Sequence, residues 1–240
     1  DLQAAGNIVI DGHCEASQIE ADGDVIIRKG CQGKGLGKII AGKSIVGQFF
    51  ESAVLTAGKD VQATYLLNCQ LKANGKLLVE GRKGVIIGGK TCAKLGISCN
   101  GIGNIAEIAT VVSVGIDKED MTAYQELQKK IEQTQAELQT CENGLNKLMA
   151  NSVHDEKVSM MIQRLTRAVY TLKSSRKELF SERDAQMEQM TKQKEARIQV
   201  SGRVYPGTLL FLNEDPFAIK EIYNNVEFVK HDNRIDTLAH

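Results

Sequence analysis

Tryptophan is absent from this chain, aromatic residues make up only 5% of it, and both of its prolines lie beyond residue 200. So few aromatic rings leave little with which to stack sugars, which weighs against a carbohydrate-active enzyme. Charge of one sign is also missing: 30 Lys and Arg face 30 Asp and Glu. A balanced chain makes no bulk field, so nucleic acid and anionic membrane are not implied as partners. No apolar run is long enough to span a bilayer, and nothing resembles a signal peptide. Metal-ligand spacing is lacking too. The six cysteines form no C-x-x-C, and His13, His154, His231 and His240 are scattered. No metal or other cofactor is expected. Cysteines placed in this way fit a reducing compartment, so a cytoplasmic protein is expected. The sequence starts at Asp1 rather than Met, and an upstream segment is expected to be missing.

What is present is a repeat. An apolar residue, an alanine two later, a glycine corner and an aliphatic residue four after the alanine recur six times before residue 95. The first apolar positions are Leu2, Ile19, Ile39, Leu55, Leu71 and Val85. The alanine positions are Ala4, Ala21, Ala41, Ala57 and Ala73, with Ile87 in the sixth copy. Ile8, Val25, Ile45, Val61, Leu77 and Thr91 come four further on. Between them lie Gly6, Gly23, Gly42, Gly58, Gly75 and the pair Gly88-Gly89. This period is too short for a βαβ unit and matches one coil of a β-solenoid. Alternate residues of a strand face one side, so the columns stack into an interior, each coil advancing roughly 4.8 Å. Alanine narrows the lumen at the bend, and glycine is expected to supply unusual backbone angles there. Cys14 and Cys31 share an offset in consecutive coils and are read as stacked neighbours. A buried free thiol pair, a disulfide and a metal site are the readings open for them. The stretch from Gly33 to Gly37 lengthens the second coil.

After Gly115 the pattern becomes helical. Asp117 is a credible N-cap with Glu119 and Asp120 in the first turn. Heptad spacing runs through Tyr124, Leu127, Ile131, Thr134, Leu138, Cys141, Leu145 and Leu148, then through Val158, Ile162, Leu165, Val169, Leu172, Arg176 and Leu179. The two runs mirror each other, Leu138 against Leu165 and Cys141 against Ile162. An antiparallel hairpin turning near Asn151 and Ser152 follows, roughly 45 Å long. In this register Glu137 lies near Arg167, Glu132 near Lys173 and Glu126 near Lys177. Pairing of the two helices with other subunits is the alternative. Arg164, Arg167, Lys173, Arg176 and Lys177 form a basic stretch, read either as a solvated face balanced by the acidic first helix or as a contact surface. Beyond Arg197 alternation returns, with a Pro206-Gly207 turn and strands that are expected to add rungs to the solenoid or cover a face of it. The organisation read from the sequence is therefore a β-solenoid over 1–115, a coiled-coil hairpin over 116–197 and C-terminal strands over 198–240.

Glycine-cornered coils, the run from Ile108 to Gly115 into a charged coiled coil, and the strand Val204-Tyr205-Pro206-Gly207 together resemble the bacterial flagellar assembly protein A family. The resemblance covers nearly the whole chain. It implies a right-handed parallel β-helix in a cytoplasmic protein tied to flagellar biogenesis or placement, and it carries over no catalytic residue. Partners of that kind are flagellar, pole-organising or regulatory proteins, with the chain concentrated at the flagellated pole.

Three functions are weighed. The first is a non-enzymatic interaction scaffold. The residues next to the inward aliphatics, Val9, Ile26, Val46, Gln62, Leu78 and Cys92, are expected to face outward, and a mostly apolar outer stripe needs cover from the C-terminal strands or from a partner. The second is a bactofilin-like polymer that self-associates end to end. The third is a carbohydrate-active β-helix enzyme. Asp24 and Asp60 sit on corners for that chemistry, but no paired carboxylates stack at a convincing offset.

Overall fold

A computed structural model of the chain describes residues 1–150, 155–231 and 234–239. The expected turn at Asn151 and Ser152 lies outside the described residues. Twelve strands come first: β1 (Leu2–Ala4), β2 (Ile8–Ile10), β3 (His13–Glu15), β4 (Gln18–Ala21), β5 (Val25–Ala41), β6 (Ile45–Ala57), β7 (Val61–Ala63), β8 (Tyr65–Ala73), β9 (Lys76–Val79), β10 (Val85–Ala93), β11 (Gly96–Ile102) and β12 (Thr110–Val114). Two helices follow, α1 (Lys118–Ala150) and α2 (Glu156–Lys194). The chain then returns as β13 (Ile198–Val204), β14 (Thr208–Leu212), β15 (Asp215–Ala218), β16 (Tyr223–His231) and β17 (Arg234–Ala239). Residues Asp1–Asp117 and Thr191–His240 form one compact unit and Lys118–Met190 a second.

The first unit is a parallel β-solenoid whose inward residues stack in ladders. One stacks Leu2, Ile19, Ile39, Leu55 and Leu71 in register, then Thr91, Val112 and Leu210. A second stacks Ile8, Val25, Ile45, Val61, Leu77, Ile97 and Ile198. These are the two columns that the repeat predicts, apart from its sixth copy. There Thr91 and Ala93, not Val85 and Ile87, stand beside Leu71 and Ala73. The cause is a longer corner between β9 and β10, residues 80–84 where β7 and β8 have only Thr64, with Gly81 and Gly84 both at positive φ. Val85 and Ile87 pair instead with Tyr65 and Leu67. The third ladder is Cys14, Cys31, Phe50, Leu66, Ile86, Ile102 and Val204. Cys14 and Cys31 are thus stacked, and both are free thiols.

Alanine keeps its expected place in four coils, where Ala21, Ala41, Ala57 and Ala73 are buried; Ala4 in the first is half-buried, and Ala93 takes the position expected of Ile87. The corner glycines keep their place for a different reason than expected. Gly23, Gly42, Gly58 and Gly75 do not adopt positive φ. They stand where a Cβ has no room, because the preceding coil's chain comes too close. A Cβ on Gly42 would lie 2.3 Å from the Asp22 carbonyl oxygen, and one on Gly58 2.1 Å from that of Gly42. Positive φ does hold at Gly207, which follows Pro206 in the expected turn. The Gly33–Gly37 stretch stays within β5 as a bulge, where the register against β6 shifts between Gln32 and Gly37; Lys34 there pairs with Glu15.

The C-terminal strands return to the solenoid. β13 and β14 add parallel rungs onto β11 and β12. The next strands reverse: β16 runs antiparallel to β13 and β15 antiparallel to β14. Phe217 and Tyr223 pack on fully buried Phe228, with ring centroids 5.7 and 5.8 Å away. Asn213, between β14 and β15, ties both ends of the helical insertion. Its Oδ1 accepts from the Ile116 N–H at 2.9 Å, and its Nδ2 donates to the Lys194 carbonyl at 3.2 Å.

In the second unit the predicted heptad positions face inward. Leu127, Ile131, Leu138 and Val169 are buried, and Cys141, Leu145, Ile162, Leu165 and Leu172 are half-buried. The register differs from the mirrored one. Lys173 pairs with Glu142 at 2.8 Å, not with Glu132. Leu127 shares a groove with Ala185 and Gln186, not with Arg176, and Leu165 approaches Gly144. These contacts match a slip of one heptad, which sets Cys141 against Val169 and Leu138 against Leu172. A seven-residue slip returns every seam position to the same phase, so heptad spacing alone leaves the register open.

Three outcomes follow from these contacts. Gly58→Ala should lower stability by about 1–3 kcal/mol, measured by urea unfolding, because the coils cannot part to admit a methyl group. Val169→Cys should oxidise with the native Cys141 inside one monomer, seen as a mobility shift on a non-reducing gel. Ile162→Cys should do so far more slowly; the reverse order would restore the mirrored register. Finally, burial pushes the Cys31 thiol up to about 11 and the Cys99 thiol up to about 12 from an ordinary value near 9. Both stay neutral in the fold while the unfolded chain ionises above pH 9. Their contribution is therefore complete below pH 9 and lost as pH rises through 11 to 12. Chemical unfolding between pH 8 and 11 should show this loss, with a shallower slope in Cys31→Ala.

Candidate functional site

Outward residues on a solenoid inherit the register of the inward ones. Val9 stands beside Ile26, Ile26 beside Val46, Val46 beside Gln62 and Gln62 beside Leu78. The structure therefore brings Val9, Ile26, Val46 and Leu78 together as one row on the outside of the second ladder. Val9 is 55% exposed, and Ile26, Val46 and Leu78 are half-buried. The row continues through Ser98 and Gln199, not Cys92. Cys92 pairs with Lys72 and Ser113 on another face, displaced by the same long coil that moves Thr91. The C-terminal strands prolong this sheet in its own plane, β13 beside β11 and β16 beside β13.

At its far end the row opens into a groove of about 590 Å³ lined by Leu78, Ser98, Gln199, Lys76, Lys192 and Arg197, among others. Its wall is braced by Glu227, which accepts from Arg197 Nη1 at 3.1 Å and from Gln199 Nε2 at 3.0 Å. On the third ladder's outer side Phe49 and Tyr65 stack with centroids 5.7 Å apart, and Lys83 sits 4.9 Å above the Tyr65 ring. Sequence reading missed this pair. Its signal was the repeat itself, since Phe49 directly precedes the inward Phe50 and Tyr65 the inward Leu66.

The corner carboxylates have a structural task. Asp24 Oδ1 accepts the Ser44 N–H at 2.9 Å, and Asp60 Oδ1 accepts the Lys76 N–H at 2.7 Å. Asn7 does the same for the Asp24 N–H at 2.8 Å. Each side chain thus satisfies a backbone donor of the following coil, where the corner interrupts the ladder. Among the described residues no cluster of His, Cys, Asp and Glu could hold a metal ion.

The five basic residues of α2 are not brought into one patch. At about 100° per residue, Arg164 and Arg167 point to one side, Lys173 is turned about 180° from Arg164, and Lys177 lies about 80° from Arg167. Arg176 occupies a seam position and is half-buried. Lys173 reaches across to Glu142. Among the described residues, no helix is long and apolar enough to cross a membrane.

A stack of glycine-cornered parallel coils, interrupted by two long helices and resumed by strands that complete it, is the architecture on which a family comparison can be judged. No curated protein and no solved structure matches the chain. A family model does, over residues 2–235, that of the Flagellar Assembly Protein A beta solenoid domain. The match runs through both the coils and the helical insertion, and the chain belongs to this flagellar assembly family.

Proposed function

We propose that the chain acts by holding partner proteins, as a non-enzymatic scaffold for flagellar assembly or placement in the cytoplasm. The observation that carries this reading is the outward row of Val9, Ile26, Val46 and Leu78. Apolar side chains aligned on a rigid sheet offer a flat contact surface whose geometry is set before a partner arrives, and such preorganisation lowers the ordering cost of binding. Flagellar, pole-organising or regulatory proteins are the partners that family membership suggests, and the flagellated pole is where they would hold it. The corner carboxylates Asp24 and Asp60 support a non-catalytic reading, because each has an oxygen engaged by the backbone. Against the end-to-end polymer stand β15 and β16. Their antiparallel direction at one end of the stack does not continue a parallel coil.

The test uses the chain as bait in a lysate of its own cells, beside Ile26→Lys/Val46→Lys. Wild-type chain should recover flagellar proteins, and the variant should lose them while its thermal midpoint shifts by only a few degrees. Equal recovery by the variant would move the contact off this row. Capture of none by wild type, with light scattering that grows with concentration, would replace the scaffold by the polymer.

A further inference from the structure

One stretch of the second helix contains no acidic residue. From Lys157 to Lys177 there are six cations, Lys157, Arg164, Arg167, Lys173, Arg176 and Lys177, and neither Asp nor Glu. If this were a solvated face balanced by α1, the cations would find carboxylates there. Lys173 does, at Glu142. Arg164, Arg167 and Lys177 are exposed and make no ion pair among the described residues.

The apolar seam of α2, Val158, Ile162, Leu165, Val169 and Leu172, faces α1. A second row with the same alternation of four and three runs along another side: Met160, Arg164, Arg167, Thr171 and Ser174. Arg167 follows Leu165 by two residues, which turns it about 200° around the helix axis. This second row is exposed along its whole length. Met160 lies on it at 52% exposure, and Tyr170, at 78%, flanks it about 80° around the axis. Two arginines without an ion pair among the described residues and an exposed methionine at heptad spacing, with a tyrosine at their flank, describe a face to which another helix can pack. Methionine is suited to such a face, because its flexible thioether adapts to an incoming surface.

We infer that this face of α2 docks an acidic amphipathic helix of a partner protein. The partner lies along Met160, Arg164 and Arg167 as a third helix, its Glu or Asp side chains meeting the arginines and its apolar side chains covering Met160 and Tyr170. A membrane fits less well, since arginines interrupt the apolar residues and no broad Leu, Phe or Trp face is present. Nucleic acid fits less well because the apolar residues would stay uncovered. The inference deepens the scaffold reading by giving one partner's chemistry. Its test uses purified components, so the result does not depend on whether flagellar proteins bind the solenoid row.

A fluorescent synthetic peptide of three Glu/Leu heptads is titrated with the full chain and followed by anisotropy. A second peptide with Gln for Glu, anionic phospholipid vesicles and duplex DNA are the other arms. The Glu peptide should bind, weaken as salt is raised, and lose about tenfold or more in affinity with Arg164→Glu/Arg167→Glu. Circular dichroism checks that the variant keeps its helices, and Arg164→Gln/Arg167→Gln serves if it does not. Met160→Ser should weaken binding without changing the salt dependence. Equal binding of the Gln peptide, or no effect of either arginine variant, overturns the inference. Vesicles or DNA bound through these arginines while the Glu peptide is not would overturn it as well, assigning the face to that ligand.

Discussion

Parallel coils stack at sheet spacing only if the tightest corner of each coil lets the next backbone in. Here that corner is built from Gly23, Gly42, Gly58 and Gly75, where a Cβ would overlap a neighbouring coil at 2.1–2.3 Å. The inward register depends on this approach. Once the corner is closed, Ala41 stands beside Ala57 and Ile39 beside Leu55, and each inward column becomes continuous. Asp24 and Asp60 belong to the same constraint, since the corner breaks the backbone ladder and their side chains take up the donors it leaves. The corner therefore explains three residue types at once: glycine for access, alanine for the narrowed lumen, and aspartate for the orphaned N–H groups.

Where that constraint repeats at a constant interval, it was legible in the sequence. The ladders through Ile39 and Ile45 and the alanine column beside the first could be read from residue class alone, as could the outward row beside the second. Legibility failed where spacing changed. The longer coil after Val79 replaces Val85 by Thr91 in the first ladder and Cys92 by Ser98 in the outer row. Of the third ladder only the Cys14–Cys31 pair was legible, because its later members, from Phe50 to Val204, differ in class and follow bulges of differing length. The helix register failed for another reason. Heptads specify which side chains face a seam but not which turn meets which, and the choice between turns is made by contacts such as Glu142 with Lys173.

The two candidate contact surfaces differ in chemistry because their scaffolds differ. On the solenoid, a residue adjacent to an inward aliphatic is held by the hydrogen-bonded ladder above and below it, so an apolar outward row is rigid and flat. Its residues are half-buried by their own neighbours, which lowers the cost of leaving Ile26 and Val46 in contact with water. On α2 each side chain projects from a rod, and the apolar residues that a helix needs for stability are already used against α1. What remains outside is long, flexible and charged, with Met160 and Tyr170 between the cations. Such a face gains most of its selectivity from electrostatic complementarity and responds to salt.

The closing strands bear on how such a protein is deployed. A parallel solenoid that continued unchanged would present the same edge at every rung and invite another copy to extend it. β13 and β14 continue the stack, but β15 and β16 reverse direction and bring Phe217 and Tyr223 onto Phe228, closing the lumen at that end. Within the same unit Asn213 accepts from the Ile116 N–H and donates to the Lys194 carbonyl. One polar side chain at the junction of the last rungs thus holds Ile116 and Lys194, the residues at which the β unit gives out the helical insertion and takes it back. Segments far apart in the sequence, Ile116, Lys194 and Asn213, are in this way joined at the end of the stack where β15 and β16 reverse direction.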